Sequence, residues 1–148
     1  MFQTQLRFRF GDVDLAGIAY YPKLLHACHC AMEDWWSDGL GKPYAAVMAE
    51  ERYGMPAVHL DVDFVKPVRY GDVLTVQIGV LAIGSTSVEL GFRLLGGDGD
   101  DDLRCTARIK TVGVDMDSLR PVPVPERWRG EFERHRVSPD FLRGTGDS

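Results

Sequence analysis

Only one stretch of this chain repeats its apolar residues at helical spacing. Over residues 22–37, Leu25, Cys28, Met32 and Trp35 or Trp36, with Tyr21 just before them, recur every three or four positions, as one face of a helix does. Pro22 suits the first turn, where its missing N–H has no intrahelical partner to lose, and Gly39 and Gly41 supply a stop. Elsewhere the period is two. Phe2, Leu6, Phe8 and Phe10 alternate with Gln3, Gln5, Arg7 and Arg9, and Val58, Leu60, Val62 and Phe64 alternate after a loop over residues 42–55. Leu74, Val76, Ile78 and Val80 form a hairpin, through a turn at Gly84, with Val88, Leu90, Phe92 and Leu94. Leu103, Cys105, Ala107 and Ile109 open a fifth strand, whose phase shifts near Val112 and Val114. The expected order is β-α-β-β-β-β, an α+β chain with one long helix on a largely antiparallel five-stranded sheet. One helix covers only part of five strands, so the remaining apolar surface and sheet edges predict self-association.

The 148 residues suit a single domain, and 45% hydrophobic with 26% charged is ordinary globular usage, which excludes disordered and fibrous classes. Net charge is −5, with Asp98, Asp100, Asp101 and Asp102 clustered in a run over residues 96–102 that reads as a solvated turn; no basic nucleic-acid footprint stands out. Three cysteines, Cys28, Cys30 and Cys105, have no zinc-type spacing, the first ten residues lack the pattern of a signal peptide, and no window approaches the roughly 18 apolar residues of a membrane span. A cytoplasmic location is expected. Residues 121–148 open with three alternate prolines, allow a helical turn near 126–135, and end in small polar residues that predict a loose tail.

The segment most charged with chemistry joins the first strand to the helix: Phe10-Gly11-Asp12-Val13-Asp14-Leu15-Ala16-Gly17-Ile18-Ala19-Tyr20-Tyr21-Pro22. Two carboxylates lie just upstream of a helix N-terminus, whose unpaired N–H groups and positive dipole end can stabilise charge developing on a substrate oxygen. A carboxylate there can be a turn former or cap; it can equally be a nucleophile or general base toward an acyl group.

This segment resembles the signature of the 4-hydroxybenzoyl-CoA thioesterase family of hot-dog-fold proteins, and FVKPVRYGDVLTV at 64–76 resembles that family's second recognisable segment. The likeness spans nearly all of residues 2–125. It implies a hot-dog domain over residues 1–125, a helix wrapped by a five-stranded antiparallel sheet, with residues 126–148 as a partly flexible extension. It implies sheets joined edge to edge in a homodimer, dimers paired into tetramers, and an active site shared between two subunits. No cofactor is expected. The substrate it implies is an aromatic, benzoyl-type acyl-CoA, hydrolysed to acid and coenzyme A. The motif's catalytic carboxylate falls on Asp14, with Asp12 as the structural turn residue; the oxyanion-binding N–H falls on Tyr21; and Gly17 matches the glycine that lets backbone and substrate approach. Asp14 would attack the thioester carbonyl or activate water.

Departures from the family pattern are informative. Where the family's namesake reads the substrate phenol with an acidic residue, this chain has His29, so His29, Glu33 and Tyr20 are the candidates for substrate contact. His59, out of phase with Val58 and Leu60, is a candidate to reach a partner's site or simply an exposed strand residue. The basic cluster that grips coenzyme A phosphates in the namesake falls at Ile83-Gly84-Ser85, which is not basic, leaving Lys66, Arg69 or the 127–136 region for that task. His26, His29, Cys30 and Glu33 share a helical face but lack a metal signature, so pocket or core roles are expected and no metal. The alternatives are a thioesterase acting on acyl-carrier protein and a non-catalytic acyl-CoA-binding protein of the same fold.

Overall fold

In the computed structural model, which describes residues 1–97 and 102–143, strand β1 (Phe2–Arg7) passes through a 3-10 turn at Phe10–Asp12 into helix α1 (Tyr21–Asp34). A wider π turn at Trp35–Gly39 extends α1. Helix α2 (Tyr44–Ala46), lengthened by a second π turn at Val47–Glu51, and strand β2 (Tyr53–Gly54) precede β3 (Ala57–Phe64). Strands β4 (Val73–Ile83), β5 (Ser87–Gly96) and β6 (Leu103–Val112), the short β7 (Val114–Asp115) and helix α3 (Glu126–Arg134) complete the chain. The five long strands form one antiparallel sheet in the order β1-β4-β5-β6-β3, and β2 pairs with β7 in a separate two-stranded ladder.

Helix α1 lies on one face of the sheet. It buries Leu24, Ala27, Cys28 and Ala31, and three of these are small enough for the helix to approach the alternating Leu74, Val76, Ile78 and Val80 of β4 and Val88, Leu90, Phe92 and Leu94 of β5. This is the α+β arrangement that the sequence pattern leads one to expect, with the helix-on-sheet packing that the family resemblance implies. The far end of the helix is closed by aromatics: Trp36 stands edge-on to Trp128 at 4.8 Å and to Phe132 at 5.7 Å, and all three rings are fully buried. Helix α3, where a helical turn was expected, thus contributes directly to the core.

The chain leaving α3 runs beside β4 beyond the point where β1 stops. Val80 donates to His135 O and accepts from Val137 N, both at 3.0 Å. Val137, Phe141 and Leu142 then cover Gly79 and Gly91, which face each other across β4 and β5 on the outer side of the sheet; a Cβ at Gly79 would collide with Val137.

Several details differ from the sequence expectations. The loop expected over residues 42–55 contains α2, because Pro43, held in extended backbone, accepts from the amides of Ala46 and Val47. Phe10, expected to face inward, is 82% exposed, since β1 ends at Arg7 and the chain turns before the alternation is complete. Val58, Leu60 and Phe64 also remain exposed on the edge strand β3. The alternation is real, but among the described residues nothing covers that edge. Residues 98–101 of the acidic run and 144–148 of the tail lie outside the described residues. Among the described residues, no helix is long and apolar enough to cross a membrane.

Candidate active site

The loop before α1 is built around Asp14. Its backbone N–H donates to Ile18 O and its carbonyl accepts from Gly17 N, each at 2.9 Å, while its carboxylate Oδ1 accepts from Ala16 N at 2.9 Å and from Ile18 N at 3.4 Å. Gly17 closes this turn at φ +76°, a left-handed conformation that costs glycine little and other residues much. One carboxylate oxygen is thereby fixed, and the side chain is held in an exposed position with Oδ2 unengaged by the described residues. Asp12 has the structural role expected of it: its Oδ2 accepts from Arg9 N at 2.8 Å, and its carbonyl receives Tyr20 N at 3.1 Å.

Tyr21 begins α1 and Pro22 follows, so the Tyr21 N–H has no carbonyl one turn back to bond. The N-cap residue Tyr20 makes no side-chain capping bond, which leaves the positive end of the helix open to an incoming anion. Both tyrosine rings are more than half exposed, 5.4 Å apart, and Tyr21 meets Phe64 of β3 edge-on at 6.5 Å. A shallow cavity of about 350 Å³ lies here between Tyr21, Leu24, Phe64 and Lys66. Asp14, Gly17, Tyr20 and Tyr21 are therefore gathered at one helix entrance.

The other candidates lie elsewhere. His29 opens on a second, larger cavity of about 400 Å³ under the middle of α1, walled by Leu25, Cys28, Met32, Leu60, Leu90 and Phe92. Its ring contacts Glu33 one turn on, at 3.2 Å, with both side chains about half exposed. Two further polar groups reach this cavity and were not singled out from the sequence: Thr111, whose hydroxyl donates to Val88 O at 2.8 Å, and Tyr44, whose hydroxyl accepts from Met55 N at 2.6 Å. Burial pushes the Tyr44 phenol above its ordinary range. Pro43 directly before Tyr44, with Val47 three residues on, was the signal for α2 and hence for Tyr44. Burial also raises the Cys28 thiol well above its ordinary value, which makes it a neutral wall of the cavity and not a nucleophile.

His59 sits exposed on β3, lines neither cavity and faces its neighbour Asp61 at 3.3 Å. On α1, His26 contacts Cys30 at 3.5 Å and His29 contacts Glu33 at 3.2 Å, and the two imidazole rings stack with centroids 6.4 Å apart.

The two regions belong to one helix but not to one another. From Tyr21 to His29 is eight residues, about 12 Å of helix axis. The helix entrance thus carries a fixed carboxylate before an uncapped N-terminus, and a separate apolar cavity lies farther along the same helix. Residues 8–132 match the thioesterase-like superfamily. The chain belongs to this superfamily, and its class is that of a thioester hydrolase. Among its relatives it is 32% identical over 123 residues to the 1,4-dihydroxy-2-naphthoyl-CoA hydrolase of a Picosynechococcus species, which covers 79% of this chain and 84% of that protein. The crystal structure of a thioesterase superfamily protein from a Jannaschia species superposes with TM-score 0.82 at 27% identity, covering 93% of this chain and 94% of that one. The 1,4-dihydroxy-2-naphthoyl-CoA thioesterase from Synechocystis shares the fold, with TM-score 0.78 at 21% identity over 88% of this chain and 94% of that one.

Proposed function

We propose that the protein is an acyl-CoA thioesterase for a hydroxylated aromatic acyl group, one or two rings in size, with Asp14 as its catalytic carboxylate. The observation that carries this reading is the placement of Asp14: one oxygen tethered to backbone amides, the other facing solvent, immediately before a helix whose first N–H groups have no cap. A thioester carbonyl seated with its oxygen at the Tyr21 N–H presents its carbon to Asp14. Attack by the carboxylate forms a tetrahedral oxyanion that the N–H and the helix dipole stabilise; its collapse expels the coenzyme A thiolate, and water then cleaves the mixed anhydride to release the acid. In the general-base variant, Asp14 takes a proton from the water that attacks the same carbon.

The acyl pocket belongs to this reading as the apolar cavity beside His29. Its volume lies within the range of small-molecule sites, and the polar His29–Glu33 pair at its rim is placed to hydrogen-bond a ring hydroxyl. Curated relatives are named for a dihydroxynaphthoyl thioester, which makes a two-ring substrate the first to try.

The full site needs two chains. Strand β3 is an unpaired edge about 23 Å long, with Val58, Leu60 and Phe64 exposed on it. Its first residue, Ala57, and Leu60 border the His29 cavity, while its last, Phe64, borders the helix entrance. Antiparallel pairing of β3 with the same strand of a second copy sets each entrance against the other chain's cavity, so that Asp14 of one protomer serves the acyl pocket of its partner. A panel of dihydroxynaphthoyl, hydroxybenzoyl, benzoyl and short aliphatic CoA thioesters, followed by released thiol, tests the assignment. Turnover on a hydroxyaroyl member that collapses in Asp14→Asn is expected; undiminished turnover in that variant would refute it.

A further inference from the structure

Coenzyme A carries an adenine ring, a pyrophosphate and a 3′-phosphate, so a site for it needs uncommitted cations beside an exposed ring face. The β4–β5 turn offers neither: the carbonyls of Gly84 and Ser85 are occupied by Arg129, at 2.7 and 3.3 Å. The 127–136 region is also committed. Arg134 pairs with Glu131, Arg136 with Glu133, and Arg127 lies over the Trp128 ring. Lys66 faces Asp102.

Three exposed arginines, Arg7, Arg9 and Arg69, make no ion pair among the described residues, and the backbone brings them to one place. Phe8, between the first two, donates to Asp72 O at 2.8 Å and accepts from Gly71 N at 2.9 Å, and Arg69 bridges to Ile18, whose carbonyl holds Asp14 N. The two carboxylates nearby are already engaged: Asp72 by Arg69 N and Arg104, Asp12 by Arg9 N and Lys23. Next to Arg9 and Arg69 in sequence stand Phe10, 82% exposed, and Tyr70, 65% exposed. Unpaired guanidinium groups interleaved with bare aromatic rings are what an adenine nucleotide binds.

We infer that Arg7, Arg9 and Arg69, with Phe10 and Tyr70, hold the nucleotide end of coenzyme A while its thioester reaches the Asp14 loop. The identity of the nucleotide rests on the thioesterase reading above. The test is calorimetric titration of the full-length protein with coenzyme A, comparing wild type, Arg9→Ala/Arg69→Ala and the control Arg120→Ala, whose exposed guanidinium lies outside the cluster. The account expects Kd to rise on the order of tenfold or more in the double variant, with the wild-type affinity falling as salt rises and the control unchanged. In parallel, kcat/KM on a CoA thioester should fall relative to that on the N-acetylcysteamine thioester of the same acid, which has no nucleotide. An equal Kd in the double variant, or no binding of coenzyme A to wild type, overturns the nucleotide site. Hydrolysis of the N-acetylcysteamine thioester would still leave the thioesterase reading standing, and its absence together with intact coenzyme A binding would remove that reading alone.

Discussion

The entrance of α1 and the cavity beneath its middle are opposite kinds of surface. At the entrance, backbone amides do the work: they orient the Asp14 carboxylate, leave the Tyr21 N–H unpaired and need only a glycine at position 17 to close the turn. In the cavity, side chains do it: Leu25, Met32, Leu90 and Phe92 set size, and His29, Tyr44 and Thr111 supply the few polar contacts. The first arrangement suits a charge that develops in a transition state, and the second suits recognition of a ground-state acyl group. One chain keeps them about 12 Å apart along the helix axis, and in the proposed dimer a second copy brings them together.

If that division holds, substitutions in the two regions separate kinetically. Asp14→Asn keeps an acceptor oxygen for Ala16 N but removes the charge; kcat should fall on the order of 10²–10⁴-fold. Its stability, read by thermal unfolding, should change by less than about 0.5 kcal/mol at this exposed site. Met32→Trp, which fills the cavity, should raise KM for an aromatic thioester on the order of tenfold or more and spare a short aliphatic one. Equal losses on both would mean that the cavity is not the acyl pocket. His29→Ala should cost about tenfold in the preference for a hydroxylated over an unsubstituted ring, read as the ratio of kcat/KM values, with little effect on the unsubstituted ester.

The smallest expected effect lies away from both regions, at His135, where α3 hands over to the segment covering the outer sheet. Burial against Trp35 holds the His135 pKa below its ordinary 6.5. The unfolded chain therefore takes up a proton near pH 6.5 that the folded chain refuses. Stability should be unaffected by this group above that pH and decline as pH falls below it, and His135→Gln should flatten the decline in a series of melting temperatures.

The sequence made the backbone of this arrangement legible because α1 and the long strands keep their periods to within a few residues, and Pro22 and Gly84 mark real boundaries. Periodicity reports which residues are apolar, not what covers them. Phe10, Val58 and Leu60 carry the pattern of buried residues yet are exposed, because β1 ends before Phe10 and β3 lies at the sheet edge, neither of which the period reports. The entrance was readable since Asp14, Gly17 and Tyr21 are contiguous and their geometry is local. The cavity was readable only at His29; Tyr44 and Thr111 arrive from α2 and β6, and their convergence is a product of tertiary packing that no spacing encodes. The free arginines were half visible. Arg69 stood out as a basic residue, but only the fold, which pairs the Phe8 backbone with residues 71 and 72, sets it beside Arg7 and Arg9.

The shared site can be tested by complementation. Asp14→Asn and Met32→Trp subunits are mixed under conditions that allow exchange, and hydrolysis of the aromatic thioester is followed. In a random mixture, half the dimers are heterodimers with one intact entrance facing one intact cavity, so at substrate below KM activity should rise to about a quarter of wild type, although Asp14→Asn alone is nearly inactive and Met32→Trp alone keeps about a tenth or less. A mixture that stays at the average of its two parents, with heterodimers demonstrably formed, would place entrance and cavity in the same chain and contradict the shared site.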